Sequence, residues 1–109
     1  MKKVLYSSDR EFQLWKYTVS HRQLLLRNVK SPAEPTRIDL LFKDVKGLNL
    51  ATILHGIRID LQGDSSGKET YRIDSSNFSG FVLASAFAHL TDDREYNDPS
   101  GFKGLDMGL

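Results

Sequence analysis

The stretch from Gly80 to Leu90, Gly-Phe-Val-Leu-Ala-Ser-Ala-Phe-Ala-His-Leu, lies within the longest run of the chain that lacks Lys, Arg, Asp and Glu. A segment with no charge to leave in water belongs in the interior, with both faces covered. Alanine at 84, 86 and 88 favours a helix, whereas Phe81 and Val82 favour a pleated surface. We read it as a strand, with Phe81, Leu83, Ser85 and Phe87 on one face and Val82, Ala84, Ala86 and Ala88 on the other. Eleven extended residues would span about 36 Å, long for a small domain. The strand is therefore expected to bend, with the kink near Gly80.

A chain of 109 residues is one domain on ordinary size grounds, large enough to build a core without staples. There is no cysteine, which excludes a disulfide framework, a thiol nucleophile and thiolate zinc ligation. No apolar run reaches the length of a membrane span, and the charged start Met1-Lys2-Lys3 has no apolar segment of signal-peptide type behind it. These features set the expectation of a soluble cytoplasmic protein. Charge is polarised along the chain. Residues 1–30 hold seven cations against two carboxylates, whereas residues 61–109 hold four against eight.

Phe12 to Val29 reads as a hairpin turning at Ser20 to Gln23. That register sets Val19 opposite Leu24 and Tyr17 opposite Leu26, with Trp15 near Asn28, all on the core side. Lys16 and Arg27 then face each other on the reverse side. After the proline-containing connector 31–35, Thr36 to Lys43 alternates, with Ile38, Leu40 and Phe42 inward and Arg37, Asp39 and Lys43 outward. Leu48 and Leu50 continue a short strand. Ile57 to Leu61 and Tyr71 to Ile73 form a second hairpin around the polar loop 63–68. The expected core is Trp15, Tyr17, Val19, Leu24, Leu26, Ile38, Leu40, Phe42, Leu48, Ile57, Ile59, Tyr71, Ile73, Val82 and Phe87.

Arg-Ile-Asp occurs at 37–39, 58–60 and 72–74. With each isoleucine inward, the flanking charges are expected to form a solvated cross-strand ladder, each pair contributing about 0–1 kcal/mol. His21, His55 and His89 lack the spacing of a metal site, and Ser85 lacks a nucleophile elbow. Residues 63–70 resemble a phosphate loop only superficially: the spacing is one residue short and Glu69 stands where a hydroxyl must bind magnesium. Asn77-Phe78-Ser79 matches a glycosylation sequon, and the carboxylates at 92, 93, 95 and 98 lack the order of a calcium loop.

The pattern thus predicts an all-β fold, an antiparallel small barrel or two-sheet sandwich of six to eight strands. A β-rich domain with one C-terminal helix is the alternative. Residues 1–98 form the domain and 99–109 a flexible tail. The expected function is a binding or interaction module for an anionic or protein partner, with a second copy of the chain or a peripheral anionic surface among the candidates. The binding residues are Lys16, Arg22, Arg27 and Lys30. Alternation separates Trp15 and Tyr17 from Lys16 and Arg27, which argues against nucleic acid. No cofactor, metal or catalytic residue is assigned. The rival is a small enzyme or ligand-binding barrel with a site around His89, Ser85 and His55.

Overall fold

The computed structural model describes residues 3–29, 31–62 and 69–94. They form one antiparallel sheet of eight strands: β1 (Lys3–Thr18), β2 (Gln23–Asn28), β3 (Arg37–Lys43), β4 (Gly47–Asn49), β5 (Ile53–Leu61), β6 (Glu69–Asp74), β7 (Ser79–Ala84) and β8 (Ala86–Asp92). Their order is β4-β7-β6-β5-β1-β2-β3-β8. The fold is all-β, and the described residues hold no helix long and apolar enough to cross a membrane.

The two ends of that order meet. β3 pairs with β8 as far as Lys43 opposite Ala86, and the ladder resumes with Gly47 of β4 opposite Leu83 of β7. Three residues on one side oppose two on the other, the count of a β-bulge. Backbone bonds from Ser85 N to Lys43 O and from Lys46 N to Leu83 O bridge the bend. Thus β3–β4 and β7–β8 are two bent strands, and six strands in all close into a barrel. Of the two architectures expected, the barrel is the one formed.

The apolar stretch 80–90 is strand on both sides of a break at Ser85. Its bend lies at Ser85 rather than near Gly80. The bulge also exchanges the faces: Val82 and Ala84 are buried, whereas beyond it Phe87 packs against the core and Ala86 and Ala88 are exposed. Gly80 serves a different purpose. A Cβ there would overlap the carbonyl oxygen of Asn49 and approach Phe78 Cε2 to 2.8 Å, so only glycine lets β7 lie this close to the end of β4.

The interior is filled by Phe12, Leu24, Leu26, Ile38, Leu40, Phe42, Ile57, Ile59, Tyr71, Ile73 and Val82, with Val45, Leu54 and Ala84. Four expected core residues are not there. Trp15 is half-buried, while Tyr17, Val19 and Leu48 are exposed. For Trp15, Tyr17 and Val19 the cause is the first hairpin. Its loop spans Val19 to Arg22, Thr18 pairs with Gln23, and a bulge at Trp15 shifts the register between Leu14 and Lys16. Leu14, not Tyr17, therefore faces Leu26, and Lys16 lies opposite Leu25 rather than Arg27. Residues 99–109, expected as a tail, lie outside the described residues.

Tyr71 enters the core with its hydroxyl donating to Glu69 Oε2 at 2.7 Å. Burial, then the bond to the Glu69 carboxylate and its charge, raise the Tyr71 pKa above the usual 10.0. The folded chain therefore holds a proton that the unfolded chain releases, so this contribution to stability is present below about pH 10 and lost as pH rises beyond it. Tyr71→Phe is expected to flatten the fall in unfolding free energy between about pH 10 and 12. Urea titrations across that range check it; a variant as alkali-sensitive as the parent contradicts it.

Candidate functional site

The outer face of β2 and β3 holds the strongest electrostatic feature. Arg27 lies opposite Asp39, and Arg37 opposite Asp92. Arg27 donates from Nε to Asp39 Oδ1 at 2.7 Å and from Nη2 to Oδ2 at 3.1 Å. Arg37 grips Asp92 in the same way, both bonds at 3.2 Å, and its Nη2 lies 3.8 Å from Asp39 Oδ2. Arg27, Arg37 and Asp39 are all but inaccessible, at 1%, 0% and 0% exposure. The Trp15 ring covers Arg27, with Cζ 4.9 Å from its centroid. The bulge makes this contact, because one inserted residue turns Trp15 to the face that strict alternation denies it.

The expected solvated ladder is therefore corrected at Arg37-Ile38-Asp39, where a desolvated row of alternating charges stands instead. The other two triplets keep part of the expectation. Arg58 is opposite Asp74 and Asp60 opposite Arg72, but the side-chain bonds run along each strand, Arg58 Nε to Asp60 at 3.1 Å and Arg72 Nε to Asp74 at 3.1 Å.

Of the four residues expected to bind an anion, Arg27 is committed to this row and inaccessible. Lys30 lies outside the described residues. Arg22 sits in the hairpin loop with a positive φ of 52°, 3.6 Å from Asp44. Lys16 is half-buried on β1. Arg22 and Lys16 share one end of the barrel with a feature that sequence reasoning misses. Val45 N donates to Arg22 O at 2.9 Å, so the hairpin loop is fastened to the bend between β3 and β4. Segments 16–24 and 41–48 together bring Lys16, Arg22, Lys43 and Lys46 with Asp44 as their carboxylate. At the start of the loop Val19 is 80% exposed, and Tyr17, two residues before it, 38%. Thr18 Oγ1 and Gln23 Oε1, on directly paired residues, are buried without hydrogen-bond partners.

The rival site is not assembled. Ser85 Oγ donates to Asp44 Oδ2 at 2.6 Å. His89 stacks on Tyr6 at 4.9 Å and on Phe87 at 6.2 Å. His55 Nδ1 lies 3.2 Å from Glu11, and its backbone N–H donates to Asn77 Oδ1, whose amide donates in turn to Ile53 O. Each candidate thus has separate partners. Asn77, the sequon residue, is used as a substitute strand along the edge of β5. Among the described residues no three His, Asp or Glu side chains converge as a metal-binding group. No family model matches the chain, and no curated protein or solved structure matches it.

Proposed function

We propose that this chain is a small interaction module whose partner is a protein segment carrying carboxylates beside apolar side chains. The single observation behind this proposal is Val19, 80% exposed on a loop that is bonded to the β3–β4 bend rather than free. An isolated exposed valine is ordinary. Here it shares with Tyr17 and Lys16 a hairpin end whose Arg22 is bonded to the bend carrying Lys43, Asp44 and Lys46, a combination that rewards an acidic partner through its charge and an apolar anchor through burial. Fixing the loop in advance also lowers the ordering cost of association. The binding residues are then Lys16, Val19, Arg22, Lys43 and Lys46.

A fluorescent peptide alternating glutamate with leucine and phenylalanine is expected to bind, with affinity falling as salt rises. Lys43→Glu combined with Lys46→Glu, and separately Val19→Asp, should each weaken it about tenfold or more. Anisotropy titrations measure this. Equal binding of a lysine-containing counterpart, or variants that bind like the parent, would remove the proposal.

A further inference from the structure

On the opposite outer face, where β5, β6, β7 and β4 run side by side, a groove of about 330 Å³ is lined by Asn49, Gln62, Thr70, Arg72, Ser79 and Phe81, with bare backbone at Gly80. Going beyond the module's proposed partner, we infer that this groove is a binding site for an aromatic carboxylate.

The register builds the site. Arg72 is directly opposite Phe81, and Phe81 directly opposite Asn49, so a cation, a ring and a carboxamide form one row across three strands. Thr70 lies two residues before Arg72 on the same face, and Gln62 is held beside it by the bond from Gln62 N to Thr70 O at 2.9 Å. Among the described residues Arg72 hydrogen-bonds only through Nε, to Asp74. Its two Nη groups carry no hydrogen bond to these residues, while Nε is turned to Asp74. A planar fork with both outer nitrogens open matches a carboxylate, which it holds by two parallel bonds.

The rest of the lining selects what is attached to that carboxylate. Phe81 is a partly exposed ring facing the groove, a surface on which a second ring stacks in an offset or edge-on manner. Asn49, Gln62, Thr70 and Ser79 are uncharged and carry donors. Among the described residues no carboxylate lines the groove. The neighbouring Asp60 is buried and bonded to Arg58, while Asp74 is bonded to Arg72 and Ser79. Long-range attraction for anions is therefore small, and recognition depends on the fork and the ring acting together. The volume falls at the lower end of small-molecule sites, enough for one fused ring system with its carboxylate.

The test is ligand-observed saturation-transfer NMR on the full chain with three probes: 2-naphthoate, 2-naphthamide and inorganic phosphate. The expected result is binding of 2-naphthoate, with 2-naphthamide, which lacks the charge, and phosphate, which lacks the ring, each about tenfold weaker or more. Arg72→Lys keeps the charge and loses the fork; with Phe81→Ala it should cost 2-naphthoate a similar factor, while both outward-facing variants retain the parent's thermal unfolding. Absence of 2-naphthoate binding, equal binding of either control, or an Arg72→Lys variant that binds like the parent overturns the inference. The probe series needs no variant, so its outcome holds even if one substitution disturbs the fold. None of these probes reports on the basic end of the barrel, so failure here leaves the acidic-partner proposal to its own test.

Discussion

Asp39→Ala is expected to lower the unfolding free energy by about 3–5 kcal/mol, the cost of breaking a buried ion pair by removing one of its members. Asp39 accepts two hydrogen bonds from Arg27 and faces Arg37 at 3.8 Å. Its removal takes two charge-assisted bonds from a guanidinium that is 1% exposed under the Trp15 ring. A small domain has about 5–15 kcal/mol in total, so the variant should unfold at a much lower urea concentration. The matched control is Asp74→Ala, which breaks the exposed pair with Arg72 and should cost no more than about 1 kcal/mol. Similar urea midpoints for the two variants would show that burial of the row has no energetic weight.

Phe42→Ala is expected to cost a comparable amount, about 3–5 kcal/mol, for a different reason. Phe42 is fully buried at the centre of an aromatic cluster, with its ring 5.4 Å from Tyr71 and 5.0 Å from Phe87. It lies on β3 between Leu24 of β2 and Phe87 of β8, beside the bulge where the barrel closes. Truncation removes the contacts that hold the bend from both sides, and the rigid strand backbone restricts collapse into the space. A urea titration measures the loss, and the closure adds a second readout. Hydrogen exchange of the Ser85 and Lys46 amides, which bridge the bend, should accelerate more than that of amides in the β1–β5 ladder. Uniform acceleration across the sheet would contradict the role given to Phe42.

Strict alternation is the part of this fold that is legible in the sequence. Ile38, Leu40 and Phe42 on β3, Ile57 and Ile59 on β5, and Tyr71 and Ile73 on β6 all face inward as their period of two requires. The illegible part lies at the bulges. One inserted residue at Trp15, and another at the bend where residues 44–46 oppose Ala84 and Ser85, reverse which positions face the core, and neither insertion leaves a mark in hydropathy. Alternation alone therefore points Tyr17 and Val19 inward and turns Trp15 away from Arg27. The burial of Arg37 and Asp39 is hidden for another reason. Alternation sorts residues by polarity, but charges that neutralise one another through bidentate pairs on neighbouring strands can be desolvated together. Only the cross-strand register, with Arg27 opposite Asp39 and Arg37 opposite Asp92, discloses the row. The basic end of the barrel depends on the same long-range information, since Lys43 and Lys46 meet Arg22 only when the hairpin loop docks on the bend.

Whether this basic end receives an acidic partner can be decided by amide chemical-shift mapping with the glutamate-rich peptide. Perturbations should concentrate on residues 16–23 and 43–46, with Val19 and Lys46 among the largest, and should diminish with added salt. Shifts confined to the β5–β6–β7 face, or spread evenly over the barrel, would contradict an acidic partner at this end.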